Sequence, residues 1–317
     1  MRGIVDAPAA DGATAFTADQ GDAGGRLDRA LLRHIHDISA LSRTLVQQWI
    51  ADGRVTVNGA VAVRPGVAVA TGARVVVTPP PTARRRQAPA PEPGTLAIVH
   101  EDAHLLVLDK PAGLVVHPSY RNATGTLLNH VLWHLRDRRP TAAPGLVSRL
   151  DKGTSGLVIV ALDAGTFAAV QRAAASGLVR KEYLAVVRGP VRPAAGTIAL
   201  RLGRDGGDRR RVVVADDGAP SETRYETLAA GGGATLLRCR LVTGRTHQIR
   251  VHLAARGWPL LGDAAYSVAC ARLDRPALHA WRIALPHPVT GAPLALEAPP
   301  PDDLRRLMTA TSLTLPG

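Results

Sequence analysis

The residues best suited to chemistry lie between positions 146 and 161, in the segment LVSRLDKGTSGLVIVA. A short apolar–polar alternation, a break rich in glycine and hydroxyl residues, and a β-branched run predict a strand, a tight turn and a buried strand. This arrangement would present Asp151 outward where the first strand meets the turn, with Arg149 on the same strand face. A carboxylate beside a guanidinium can serve as a reactive acid. However, an aspartate in a turn more often only hydrogen-bonds its own backbone.

Two pairs of residues could suggest a metal or a disulfide. His130 and His134 are four residues apart on a predicted helix, which is a spacing that zinc ligands use. Their neighbours are apolar and no glutamate follows the first histidine, so we expect a structural pair. Cys239 and Cys270 are far apart and form no C-x-x-C motif. The sequence therefore predicts neither a metal site nor a disulfide framework.

A second polar group lies near position 250. His247 and His252 flank Arg250, close to Arg245, and could form an acid–base site or a phosphate clamp. Ser155 has no G-x-S-x-G motif around it, which disfavours a serine nucleophile. A hydrolase that uses the two histidines is an alternative, weakened because neither a second acid nor a nucleophile motif accompanies them.

The composition indicates a polyanionic partner. The chain carries 39 Lys and Arg against 26 Asp and Glu, a formal net charge of +13. Phosphate contacts by such residues release counterions, so nucleic acid is the expected partner. The chain contains no run of about 18 apolar residues and begins without an apolar signal core, so we expect a cytoplasmic protein without a membrane anchor.

The first third of the chain divides into three segments. Residues 1–24 lack periodicity and are predicted to be a disordered tail. Residues 25–78 predict two helices and a small sheet, with Ser42 capping the second helix and Asn58 opening an Asn-Gly hairpin turn. Residues 79–94 form a proline-rich linker. The basic residues of the small domain lie on or beside its helices, and could face either solvent or RNA: Arg29, Arg33, Arg43 and Arg54.

The remainder, residues 95–310, predicts an α+β catalytic domain. Many strands with few helices between them favour a mixed, largely antiparallel sheet. An arginine-dense loop is expected at 201–211, and the segment GRTHQIRVHL should begin as a turn and continue as a helix. The sequence contains no glycine-rich nucleotide loop.

Two stretches resemble known families. SRTLVQQWIADGRVTVNG and the following RPGVAVATGARVVV resemble the alpha-L RNA-binding motif, a small fold first known from a ribosomal small-subunit protein. RLDKGTSGL, with KPAGLVVHP before it and KEYLAVV and GRTHQIRVHLA after it, closely resembles the RluA-type pseudouridine synthase family. LGDAAY and LHAWRIALPHPVTG match the C-terminal part of that family. One departure is Ser148, which stands where many members have a histidine.

This resemblance implies an isomerisation of uridine in RNA. The base detaches at nitrogen one, turns, and rejoins the ribose through carbon five, so neither a cofactor nor a metal is required. Asp151 would act as a nucleophile or as a base. By the same resemblance Arg245 would supply the opposing charge, and Tyr183 would stack on the uracil and could help to remove the carbon-five proton.

The resemblance also implies how RNA is held. A uracil must be flipped out of its stack, and Arg149 is the candidate for propping the vacated position. The arginine-dense loop, the small domain and His247 would contact the RNA at longer range, with Arg209 and Arg211 as the loop's representatives. The expected substrate of this monomer is large-subunit ribosomal RNA. The alternatives are a tRNA synthase of the same family and a catalytically silent assembly factor.

Overall fold

The computed structural model of the chain describes the backbone of residues 5–6 and all of residues 13–35, 41–81, 89–119, 122–208, 211–267 and 270–316. It divides the chain into two compact units, residues 1–88 and 89–317. Within the described ranges, no helix combines the length and the apolar character needed to cross a membrane.

The N-terminal unit packs two helices against a small sheet. Its strands run in the order β1-β2-β7-β4-β5, and β3 pairs separately with β6. The elements are β1 (Val5–Asp6), β2 (Thr14–Thr17), β3 (Gly25–Arg26), α1 (Leu27–His34), α2 (Arg43–Ala51), β4 (Val55–Val57), β5 (Ala60–Val61), β6 (Ala68–Val69) and β7 (Arg74–Val77).

Local sequence signals in this unit are confirmed. The Ser42 hydroxyl accepts a hydrogen bond of 3.2 Å from the backbone N–H of Leu45, and so caps α2. Asn58 and Gly59 both take positive φ angles, 50° and 84°, between the paired strands β4 and β5. Those angles are what a two-residue hairpin turn requires.

The predicted disordered tail is wrong for residues 13–24. Strand β2 pairs antiparallel with β7, and Phe16 is buried in the core of the unit, where it stacks on His34. Asp19 and Asp22 bind Arg33 of α1. A single aromatic side chain and an open strand edge thus order a segment whose composition indicated disorder. Residues 1–4 and 7–12 lie outside the described residues.

The second unit is built on one mixed sheet of eleven strands. The order β14-β13-β15-β16-β12-β17-β11-β9-β8 forms its main path, while β10 pairs with β11 and β18 with β17. Strands β11 and β17 pair in parallel, and the other neighbours pair antiparallel. The predicted α+β class with a largely antiparallel sheet is confirmed. The strands are β8 (Ile98–Glu101), β9 (Leu105–Lys110), β10 (Gly145–Leu146), β11 (Ser155–Ala161), β12 (Arg180–Arg188), β13 (Ala195–Arg204), β14 (Val212–Val214), β15 (Ala219–Gly231), β16 (Ala234–Leu241), β17 (Leu278–Pro286) and β18 (Pro293–Glu297).

Four helices cover the two faces of this sheet. They are α3 (Leu127–Leu135), α4 (Ala164–Ala175), α5 (Gln248–Ala255) and α6 (Asp302–Ala310). Neighbouring residues along a strand point to opposite faces of the sheet, so they belong to different cores. Leu106 packs with α3 and α5, whereas Leu105 packs with α4. The helices α3 and α5 therefore share a face of the sheet with Tyr183 of β12.

Three predicted boundaries need correction. The linker 79–94 ends early, because the residues from Pro89 onward belong to the second unit; there Glu92 and Ala90 hydrogen-bond to Asn129 of α3. The catalytic unit also continues beyond residue 310, since Leu313 is buried against α6. The first residues of the predicted loop 201–211 lie in β13, which runs to Arg204.

Candidate active site

A small cavity of about 60 Å³ opens on the sheet face that carries α5. The loop between β10 and β11 contributes Arg149, Asp151 and Thr154, strand β12 contributes Tyr183, and the start of α5 contributes Arg250. Three segments far apart in sequence therefore meet here, and the cavity combines a carboxylate, an aromatic ring and several cations.

Asp151 lies in a loop whose backbone is hydrogen-bonded on the side away from the cavity. The sequence predicted Asp151 at the end of a strand. Strand β10 instead ends at Leu146, and hydrogen bonds within the following loop hold Asp151. The N–H of Thr154 donates to the Asp151 carbonyl oxygen at 3.0 Å, which closes the turn. The carbonyl of Lys152 accepts from the N–H of Gly113 at 2.7 Å.

Two buried cations bind the same turn. The Lys110 ammonium donates to the carbonyl oxygens of Pro111, Leu114 and Lys152 at 2.7, 3.0 and 3.3 Å. Lys110 is fully buried, and burial, assisted by a nearby arginine, lowers the pKa of its ammonium to about 8, although neighbouring carboxylates oppose the shift. Arg275 supplies the second cation.

Arg275 joins the turn that carries Asp151 to helix α6. Its Nη1 donates to the carbonyl of Gly153 at 3.3 Å, while Nε and Nη2 form a bidentate pair with Asp303 of α6 at 2.6 and 2.8 Å. The turn that carries Asp151 is therefore fixed by backbone carbonyl contacts from β9 and from the segment before β17, which leaves the Asp151 carboxylate free for the cavity.

Arg250 is the cation that faces Asp151. Its Nη1 donates to Asp151 Oδ2 at 3.0 Å, while its Nε and Nη2 donate to the two carboxylate oxygens of Asp263 at 2.7 and 2.8 Å. Asp263 is buried, whereas the Asp151 side chain is 25% exposed. Burial alone would lower the pKa of Arg250, but the bonds and charges of Asp263 and Asp151 outweigh it and raise that pKa. The guanidinium therefore stays charged in this site.

The prediction that Arg245 opposes Asp151 is wrong in this structure. Arg245 borders the same cavity, but its Nε donates to the carbonyl of Pro220 at 3.3 Å. Helix α5 begins at Gln248, so Arg250 lies in its first turn and reaches Asp151, while Arg245 lies in the exposed loop before it. The motif contains both arginines, and sequence spacing alone did not distinguish them.

Gln248 explains why this loop takes its shape. Its side-chain oxygen accepts from the N–H of Arg245 and from the hydroxyl of Thr243, at 2.9 and 2.8 Å. Its nitrogen donates to the carbonyl of Glu222 and to the hydroxyl of Thr223. Gln248 is buried, so these four bonds fix the start of α5 against β15.

His247 stands beside Asp151, with Nε2 3.8 Å from Asp151 Oδ2. Its Nδ1 lies 2.8 Å from the Tyr266 hydroxyl oxygen, which accepts from the N–H of Val212 at 2.9 Å. Burial, together with Arg250 and Arg204, lowers the pKa of His247 despite the raising effect of Asp151 and Asp263. A neutral ring that accepts the Tyr266 proton at Nδ1 directs its Nε2 proton at the carboxylate.

Tyr183 lies on β12, as predicted, and is buried at the wall of the cavity. Burial raises the pKa of its phenol, and the charge of Asp151 raises it further. The aromatic ring at the cavity wall can serve as a stacking surface.

The other polar residues considered from sequence lie in the interior or in ion pairs, away from the cavity. His252 is buried between the hydroxyls of Ser221 and Thr223, both at 2.9 Å, and burial lowers its pKa to about 4. The Ser155 hydroxyl is buried against His279 Nδ1 at 2.9 Å. His134 binds Glu101, and His130 is packed under Gly94. These contacts weaken the hydrolase alternative, because His252 and Ser155 are both bound to internal partners and neither lines the cavity with His247.

The basic residues proposed to bind RNA have different surroundings. Arg149 is exposed at the cavity, Arg211 lies with its guanidinium 5.5 Å from the ring centre of Tyr266, and Arg209 lies outside the described residues. In the N-terminal unit Arg29 is exposed and Arg54 is half-buried. Arg33 binds Asp19 and Asp22, and Arg43 Nε donates to Asp28 at 3.0 Å. Arg33 and Arg43 therefore also stabilise the N-terminal unit.

The sequence analysis did not select Lys110, Asp263, Tyr266 or Arg275 as site residues. Lys110 and Asp263 lie in KPAGLVVHP and LGDAAY, segments that carry the resemblance, and this was the one signal available for them. Their roles depend on contacts between separate segments, such as Lys110 to Lys152, 42 residues away, and Asp263 to Arg250, 13 residues away, which local patterns do not reveal.

Comparison with known proteins identifies both units. Residues 104–255 match the family described as RNA pseudouridylate synthase, and residues 39–75 match the S4 domain. The chain is 39% identical to the uncharacterised RNA pseudouridine synthase YlyB of Bacillus subtilis, over 92% of this chain and 96% of that protein. It is 41% identical to ribosomal large subunit pseudouridine synthase D of Pseudomonas aeruginosa, over 84% and 87% of the two chains.

Solved structures agree with this result. Human RNA pseudouridylate synthase domain containing 1 superposes with a TM-score of 0.55 at 28% identity, covering 71% of this chain and 93% of that chain. Human RNA pseudouridylate synthase domain containing 4 shares the fold, with a TM-score of 0.58 at 24% identity and coverages of 70% and 95%. The chain therefore belongs to the RNA pseudouridine synthase family, whose members isomerise uridine to pseudouridine in RNA.

Proposed function

We propose that this protein converts specific uridines of large-subunit ribosomal RNA into pseudouridine, with Asp151 as its catalytic carboxylate. The observation that carries the proposal is the hydrogen bond of 3.0 Å between Asp151 and Arg250 at the cavity, with Arg250 held from behind by buried Asp263. The naming of two relatives as ribosomal large subunit synthases supports the choice of RNA.

The reaction is a balanced isomerisation. The bond between ribose carbon one and uracil nitrogen one breaks, and a bond from the same ribose carbon to uracil carbon five forms. Carbon five loses its proton, and nitrogen one gains one. The Asp151 carboxylate can drive the cleavage as a nucleophile or as a base, and Arg250 balances its charge before it reacts and again when it is released.

Access to the base requires that the uridine leave its stack, at a cost of a few kcal/mol. The ring of Tyr183 offers a stacking surface inside the cavity, and we assign it to binding of the base. Exposed Arg149 borders the same cavity and is placed to occupy the position that the base leaves.

RNA outside the cavity would meet basic residues of both units. Arg211 is available to phosphates near the cavity, as is His247 at its rim. Arg29 and Arg54 are the candidates in the S4-type unit. We assign the protein as a monomer that acts in the cytoplasm.

The decisive experiment replaces Asp151 by Asn. We expect the variant to lose uridine isomerisation while its affinity for RNA stays within a few-fold, because Asn keeps the shape but not the charge. Turnover is measured by nucleoside chromatography of digested RNA. A variant that retained turnover would remove Asp151 from the chemistry.

Mapping of pseudouridines in cells with and without the protein tests the choice of substrate. Loss of one or more sites in large-subunit ribosomal RNA is the expected result. Loss confined to tRNA would identify a tRNA enzyme, and an unchanged map would favour a silent RNA-binding factor.

A further inference from the structure

A buried hydroxyl at the cavity has no partner. Thr154 is 2% exposed, and its Oγ1 makes no hydrogen bond to any residue that the structure describes. Its backbone N–H is used, because it donates to the carbonyl of Asp151. The side-chain hydroxyl therefore has both its donor and its acceptor capacity unfilled.

Such a group requires an explanation, because a buried polar atom without a partner is unfavourable and uncommon in folded proteins. Across the described ranges, the buried side-chain atoms in this condition belong to His130, Thr154 and Thr227. Of these three residues, Thr154 borders the cavity and the other two do not.

The position of Thr154 ties it to the reacting group. It lies three residues after Asp151, and the hydrogen bond of 3.0 Å between their backbones closes the turn that carries both. Tyr183 lies at the same cavity. A nucleoside whose ribose carbon one is beside Asp151 and whose base lies against Tyr183 would bring its polar atoms next to this turn.

We propose that the Thr154 hydroxyl hydrogen-bonds the flipped pyrimidine nucleotide during isomerisation, an inference that rests on the function proposed above. Oγ1 is screened from solvent in the free protein, so the Thr154 side chain turns towards the base when the nucleotide enters between Tyr183 and the turn. Because a hydroxyl can donate and accept, this contact orients the nucleotide and does not by itself distinguish uracil from cytosine.

The test replaces Thr154 by Val, which keeps the branched shape and removes the hydroxyl. Since the hydroxyl has no internal partner, the melting temperature should stay the same or rise. The value of kcat/KM on substrate RNA should fall by about 3- to 10-fold, the loss expected for one hydrogen bond to a neutral group. Thr154→Ser keeps the hydroxyl and should retain more activity than Thr154→Val.

Thr227→Val is the matched control. Thr227 is a buried threonine on β15 whose Oγ1 also makes no hydrogen bond to any described residue, but it lies outside the cavity. Its replacement should leave kcat/KM unchanged and should not lower the melting temperature. A loss of activity in this control equal to that of Thr154→Val would overturn the proposal, because the effect would then not be specific to the cavity.

Other results also decide the matter. A clearly lower melting temperature for Thr154→Val would show that the hydroxyl has an internal role, and unchanged kcat/KM would show that it does not contact the substrate. Either result overturns the proposal. Both leave the proposed function intact as long as the unaltered protein forms pseudouridine and Asp151→Asn does not.

Discussion

The two carboxylates bound to Arg250 should differ sharply in what they contribute. Asp263 accepts two hydrogen bonds from the guanidinium, at 2.7 and 2.8 Å, and its side chain is 1% exposed. Asp151 accepts one, at 3.0 Å, and is 25% exposed. We expect Asp263→Asn to destabilise the fold and Asp151→Asn to remove activity with little effect on stability.

The magnitudes follow from burial. Removing the buried partner of an ion pair costs about 3–5 kcal/mol of unfolding free energy, and without Asp263 the Arg250 charge keeps only its single bond to partly exposed Asp151. An ion pair with one partly exposed member contributes roughly 1 kcal/mol or less. The expected difference between Asp263→Asn and Asp151→Asn is therefore about 2–4 kcal/mol, with Asp263→Asn the less stable variant.

Urea unfolding followed by circular dichroism measures both variants against the unaltered protein, and nucleoside chromatography measures their turnover. Asp263→Asn should also lose activity, in part, because Arg250 loses the group that orients it. Equal stability of the two variants would refute the reasoning, since it would mean that burial does not decide how strongly each carboxylate is coupled to Arg250.

Two further predictions concern the support of the site and the N-terminal unit. In the folded protein Lys110 loses its proton near pH 8, whereas in the unfolded chain it keeps that proton up to about pH 10.5. The unfolded state binds more protons between these two pH values, so the free energy of unfolding should rise by on the order of 3 kcal/mol as the pH increases from about 8 to about 10.5. Lys110→Met should lack this rise when unfolding is measured by urea at about pH 7 and about pH 10; the same slope in both proteins would contradict the assignment. Deleting residues 1–88 should weaken RNA binding and flatten its salt dependence while the second unit keeps its circular dichroism, and unchanged binding would exclude the S4-type unit from substrate contact.

The sequence determined those features that short-range chemistry controls. The Asn58 hairpin, the Ser42 cap and the strand that carries Tyr183 all follow from local propensity. The glycine- and hydroxyl-rich break around Asp151 predicted the turn, and motifs in family order identified the enzyme class.

The tertiary structure alone decided which groups meet. Arg250 and not Arg245 binds Asp151, because α5 begins at Gln248 and directs its first turn at a loop 99 residues away in sequence. Phe16 orders a segment that its composition left without structure, because β7 offers a strand edge and a core. Propensity and spacing act over a few residues, whereas burial and charge pairing act between segments that only the folded chain brings together.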